Sequence, residues 1–251
     1  MARGSGVAVA RPYSARMQTL SKLMAVLPWF DWAALLVFFS AWVGYAHFAR
    51  RKAQTRPSIL AATNRIRHQW MLQATHREVR VVDAVVIQSL SSSPSFFAST
   101  TILIIGGLLA VLGTSDKANE LVRDIPFAAQ TSVLVFDMKV LLLLGIFVYA
   151  FFRFTWSMRQ YTFGALLVAA APEAKQYAEH KLPREAFADR AGRVVGLAAE
   201  TFNDGLRSYY LAFAAIAWFF SAWAFMAASM GVVYILYQRE FRSEVLDVLN
   251  S

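Results

Sequence analysis

Between Phe96 and Gly113 the chain runs for 18 residues without a single charge. In a bilayer, backbone groups have no water to bond with, so such a stretch is stable only as a helix. About 20 apolar residues cover the hydrocarbon core. Two further runs qualify: Trp29 to Phe48, with Asp31 at its edge, and Tyr209 to Tyr237. A fourth lies within Val133–Trp156, where Asp137, Lys139 and Arg153 flank the uniformly apolar Val140–Phe152. Tyr161–Ala171 is too short to cross and ends at Pro172, so it reads as a continuation of that helix. The composition agrees: 57% of residues are hydrophobic, 16% are charged, and the mean hydropathy is +0.43. A soluble enzyme and a disordered tail are excluded on that balance. Absence of cysteine excludes disulfides, thiolate metal sites and cysteine nucleophiles. The expected fold is all-α: a polytopic bundle of four transmembrane helices spanning about 29–49, 96–113, 133–156 and 209–237.

Loop charge sets the expected orientation. Arg50–Ser95 holds eight Lys and Arg against two acids, and Arg153–Ser208 holds eight against six. Thr114–Ser132 and the tail after Tyr237 each hold two bases and three acids. The excess of Lys and Arg places the first two segments in the cytoplasm and both termini outside. The basic tail 1–28 (Arg3, Arg11, Arg16, Lys22) opposes this, but Arg50, Arg51, Lys52 and Arg56 form a denser cluster. That tail lacks a cleavable signal pattern; Met17 and Met24 are alternative starts.

The inner segments read as helices over about 57–92 and 173–208. Ile59–Leu90 lacks Gly and Pro, repeats Val79, Val82, Val86 and Leu90, and is expected to break at Ser91–Pro94. Pro183 opens the second, whose Gly192, Gly196, Ala199 and Asn203 share a face. Residues 238–251 form a tail. Small residues at helical spacing mark helix-packing seams in lipid. Ala214, Ala217, Ser221, Ala224, Ala228 and Gly231 make one stripe in the last span, opposite Trp218, Phe219, Phe225 and Met226. Ser99, Gly106, Ala110 and Gly113 repeat the device in the second.

No motif points to a reaction. His47, His68, His76 and His180 lack metal spacing, and His76 shares a helix face only with Asp83. Glycines 106–107 belong to an apolar span, not a phosphate loop. No cofactor, metal or catalytic residue is expected. Net charge of +9 reflects cytoplasmic loops and anionic headgroups, not nucleic acid. The sharp signal is intramembrane charge: Asp137, Lys139 and Arg153 need partners or water. Asp31 belongs near the outer surface with Asp137 and Lys139.

The stretches RHQWM (Arg67–Met71), REVRVVD (Arg77–Asp83), SFFASTTILIIGGLLAVLG (Ser95–Gly113) and FRFTWSMRQY (Phe152–Tyr161), with AAAP ending at Pro172, carry a resemblance. Together they resemble the domain-of-unknown-function 599 family of bacterial membrane proteins. The resemblance implies a multi-pass inner-membrane protein and supplies no catalytic residue.

Two functional classes follow. One is an interaction or scaffold component, packing through small-residue faces against itself or other membrane proteins, with basic inner segments at anionic headgroups. The other is an oligomeric channel or transporter lined by Asp137, Lys139 and the hydroxyls of Ser99, Thr100 and Thr101.

Overall fold

The computed structural model describes residues 27–52, 56–126, 129, 131–179 and 182–250; most of the basic tail, and His180, lie outside them. The described residues form helices α1 (Trp29–Lys52), α2 (Ile59–Ala74), α3 (Val81–Gly113), α4 (Ser115–Arg123), α5 (Val133–Ala169), α6 (Ala174–Glu179), α7 (Arg184–Ile216), α8 (Ala222–Phe241) and α9 (Glu244–Asn250). A 3-10 turn, Ala217–Phe219, joins α7 to α8, and no strand occurs among the described residues. Three helices, α1, α3 and α5, are long and apolar enough to cross a membrane. At 37 residues, α5 is the continuous helix expected through Tyr161. Its length of about 55 Å exceeds the hydrocarbon thickness.

Core side chains lie in three tiers along α5 and α7. The upper tier joins Ala34 and Phe38 of α1, Leu143 and Ile146 of α5, and Trp218 and Phe225. The middle tier places Ala98, Ala150 and Phe154 against Phe97, Phe202 and Tyr209. The lower tier packs Met71 of α2 and Ile87 of α3 with Tyr161, Val168, Phe187 and Val195. Here the expected small face of α7 is used. A Cβ on Gly192 would lie 3.1 Å from the His68 Cα, and one on Gly196 would lie 2.9 Å from Asn64 Oδ1. Glycine lets the α2 backbone settle directly on α7.

The expected last span is instead two antiparallel pieces. Ser221 is extended (φ −164°, ψ 157°) and its hydroxyl accepts the Ala224 N–H at 3.0 Å, an N-cap that starts a new helix. The small-residue stripe therefore divides between α7 and α8. Trp218 and Phe225, expected on the outward side, are among the most buried side chains. From the turn, α8 runs back down the bundle. Leu236 packs with Tyr45 and Ala49 of α1, and Glu240 accepts the Leu60 N–H at 3.1 Å. Beyond it, Asn250 of α9 accepts from Arg65 of α2. The described chain thus starts at the upper end, beside Trp218, and finishes at the lower end against α2. The expected span Tyr209–Tyr237 is therefore not one continuous helix.

The long inner helix also differs. It stops at Ala74 and restarts at Val81, which removes the shared face of His76 and Asp83. No Gly or Pro marks this corner; its own Arg77 and Arg80, with side chains from neighbouring elements, make it. Asp83, fully buried, accepts the Trp70 indole N–H at 2.7 Å and pairs with Arg77. Arg80 bonds the carbonyls of Ala74, Ala171 and Pro172, and Arg184 bonds that of Thr75. Cations at helix C-termini complement the orphan carbonyls and the dipole. The expected break at Ser91–Pro94 is absent. Pro94 is buried within an uninterrupted α3, a proline use that neighbouring helices make tolerable.

Candidate functional site

Above the Asp83–Arg77 pair the bundle has charged groups at two further levels. At the upper level Lys139 is 3% exposed and donates to the Trp218 carbonyl at 2.9 Å, with its ammonium 5.6 Å from the Trp218 ring centre. The Trp218 indole N–H donates to Asp31. Lys139 therefore caps the carbonyl end of α7, where the helix dipole favours a cation. The aromatic–acid–base cluster pins the reversal between α7 and α8. Asp137 turns one carboxylate oxygen, Oδ1, into protein with no hydrogen-bond partner there.

The second-span hydroxyls do not join that level. Thr101 is buried and shares a 2.6 Å hydrogen bond with the Tyr209 hydroxyl. Thr100 bonds the Phe96 carbonyl of its own helix, and Ser99 is exposed. Within the chain Asp137, Lys139, Ser99, Thr100 and Thr101 do not converge on a common path. Of the packing candidates, Ala214 is buried and Ala217, Ser221, Ala224 and Ala228 are half-buried. Gly231 and Gly106 have no side chain or neighbouring helix within 4 Å of a built Cβ, and Ala110 is exposed.

The middle level holds a buried ion cluster between α5 and α7. A Cβ on Gly205 would lie 2.5 Å from the Phe154 ring, so α5 and α7 approach each other as closely as glycine permits. That approach brings Arg153 of α5 against Asp204 of α7, which is 5% exposed. Arg207, one turn on, donates to the second carboxylate oxygen at 3.1 Å and lies over the Tyr45 ring at 5.6 Å. Taken alone, these three groups carry a net positive charge; Glu200 and Glu240 line a pocket on the other side of Arg207. The Arg153 Nε is buried and has no hydrogen-bond partner. Beside the cluster, α1 and α5 part to leave a groove of about 410 Å³. Phe39, Trp42, Val43, Ala46 and His47 of α1 and Tyr149 of α5 form its walls, with Asp204 and Arg207 as its floor. Such an arrangement suits binding of an anion attached to an apolar body, a few polar groups in a mostly apolar cleft. Among the described residues no group of three or more His, Asp or Glu is placed to hold a metal ion.

On the far side of Arg207 the polar groups belong to the α2 seam. The Asn64 amide donates to Glu200 at 3.3 Å, and Arg67 donates to Thr63 and Asn64. Burial pulls the Arg67 guanidinium below its ordinary value, with Tyr161 and Glu200 opposing that shift.

Charge scanning of the sequence finds Arg153 but misses its partner, because Asp204 counts there as one loop acid among six. Its spacing of three from Arg207 on a helix was the available signal. Lys139 and Asp31 were legible as neighbours; Trp218, which joins them, was not.

These features define a class: an all-α protein built around helices of membrane-crossing length and apolarity, with a buried ion cluster joining α5 to α7. The chain belongs to the family described as "Protein of unknown function, DUF599", whose model matches residues 33–245. No curated protein and no solved structure matches it.

Proposed function

We propose that this protein is an interaction component of the bacterial inner membrane that assembles with a second copy of itself through the outward face of α3. The carrying observation is the length of that face. Only 11% of the most apolar stretch of α3 is buried, against 44% for α5. Val81, Val82, Val85, Phe96, Ile102, Leu103 and Leu109 are all exposed large apolar side chains. From Val81 to Leu109 the face measures about 42 Å, and about 39 Å at a 20° tilt. Hydrocarbon covers about 30 Å. Hydrocarbon tails therefore leave about 9 Å, more than one turn, of exposed valine and leucine at headgroup level, and a protein partner removes that exposure.

Small residues support the same face. Val85, Ser99, Leu103, Gly106 and Ala110 fall within about 60° of one another around the helix. Gly106 and Gly107 have no neighbour within 4 Å. Each helical glycine costs up to about 1 kcal/mol relative to alanine, and close approach of another helix offsets it.

Because the chain has no cysteine, single-cysteine cross-linking tests this without background. Leu103→Cys and Val85→Cys should each give a covalent dimer in native membranes. Phe213→Cys, exposed on α7, should not. Monomer from both α3 positions, or equal dimer from Phe213→Cys, would refute the assembly.

The path of α8 supports five crossings by α1, α3, α5, the upper half of α7 and α8. The N-terminal end is then outside, and the lower tier and C-terminus are cytoplasmic. Arg51, Lys52 and Arg56 at the lower end fit the positive-inside pattern. A reporter after Ser251 and one inserted near Gln176 should both behave as cytoplasmic. An extracytoplasmic Ser251 reporter would return the topology to four spans.

A further inference from the structure

We propose that the groove between α1 and α5 holds one anionic lipid of the leaflet on the α2 side, its headgroup on Arg207 and its chain along Phe39, Trp42 and Val43.

The groove is graded in the way an amphiphile requires. Phe39 and His47 are eight residues apart on α1, about 12 Å along the axis. Apolar and aromatic walls occupy the upper part, and His47, Asp204 and Arg207 the lower part. Arg153 lies one helical turn below Tyr149, on the same face of α5. Its level is about 21 Å below Lys139, short of the roughly 30 Å of hydrocarbon, and a long arginine side chain spans much of the remaining distance to the headgroups.

The floor is charged to receive an anion. Arg153 and Arg207 share the single carboxylate of Asp204. Arg207 gives one N–H to that carboxylate, which leaves further guanidinium donors at the groove floor, and Arg153 behind it adds charge. The nearby acids do not cancel this charge from within the groove. Glu240 accepts the Leu60 N–H and Glu200 the Asn64 amide, both on the side of Arg207 that faces α2. Guanidinium donors match phosphate oxygens in geometry as well as charge. A contrasting groove lies on the other side of α1. It measures about 440 Å³ and is lined by Ala41, Gly44, Tyr45, Phe48 and α8 side chains, with no charged group. It lacks any feature that selects a headgroup.

Native mass spectrometry of the full chain, released from mixed micelles with phosphatidylglycerol or phosphatidylcholine, reads the proposal directly. One phosphatidylglycerol should remain bound in preference to phosphatidylcholine. Arg207→Gln removes a charge-assisted donor and should lower that retention about tenfold or more. Val43→Trp fills the exposed wall without touching the charges, and should also displace the lipid while leaving thermal stability unchanged. Inorganic phosphate at millimolar concentration should not compete, because the chain contributes to binding. Equal retention of the two lipids overturns the site. So does retention of phosphatidylglycerol by Val43→Trp, which assigns the lipid to surface basic clusters. Displacement by phosphate alone reassigns the floor to a free anion and likewise overturns the lipid.

Discussion

Replacing Asp204 by alanine should lower stability by about 3–5 kcal/mol, the usual loss when one member of a buried ion pair is removed. The carboxylate is 5% exposed and is the shared acceptor for Arg153 and Arg207. Without it, two guanidiniums are left close together in a site with little water, and neither can move far. Arg153 is fixed by α5, and Arg207 by its place over Tyr45. Asp204→Asn should be milder because the amide oxygen still accepts a hydrogen bond. Arg153→Met should be milder again, because Asp204 keeps Arg207. Unfolding in mixed micelles should give that order. A loss under about 0.5 kcal/mol for the alanine variant, the size of an ordinary surface change, would mean that the triad does not hold α5 to α7.

The second large effect is expected at Gly192. The nearest atoms to an added Cβ are the His68 Cα at 3.1 Å and the His68 backbone N at 3.3 Å. A side chain can rotate away, but a helix backbone moves only as a body. Gly192→Leu should therefore push α2 off α7, with a loss at or above the ~1–3 kcal/mol of ordinary overpacking. Early proteolysis within Ile59–Ala74 would report the detachment. Gly107→Leu is the matched control, since nothing lies within 4 Å of that Cβ. Gly107→Leu should leave monomer stability intact and weaken only the cross-linked dimer. Equal destabilisation by the two changes would show that glycine spacing in α7 does not determine the seam.

How far the sequence reached varied with the physics of each element. Gly192 and Gly196 were legible as a packing face because a four-residue spacing fixes the side of a helix whatever packs there. The corner at Thr75–Arg80 was not legible. It contains no helix breaker; Arg184 donates to its Thr75 carbonyl, its own Arg77 donates to Asp83, and its own Arg80 donates to the carbonyls of Ala171 and Pro172, up to about a hundred positions away. Pro94 misled in the opposite sense, since a proline within a packed apolar helix need not end it. The motifs RHQWM and REVRVVD acquire a structural meaning here. Trp70, Arg77, Arg80 and Asp83 are the side chains that build the corner.

By itself, then, the sequence determined that the chain is helical and suited to a bilayer. Apolar runs beyond about 18 residues have one good solution in lipid, and that preference is local. It also located the costly charges, Lys139 and Arg153, because charge within an apolar run is visible in one dimension. The path of the chain was decided only by tertiary structure. Tyr209–Tyr237 has a composition fit for one long helix, and its reversal depends on Asp31 and Lys139 holding Trp218 from other helices. The pairing of Arg153 with Asp204, and the groove beside it, likewise exist only because Gly205 lets two helices meet. Both are three-body arrangements, and a single strand of sequence carries only one body of each.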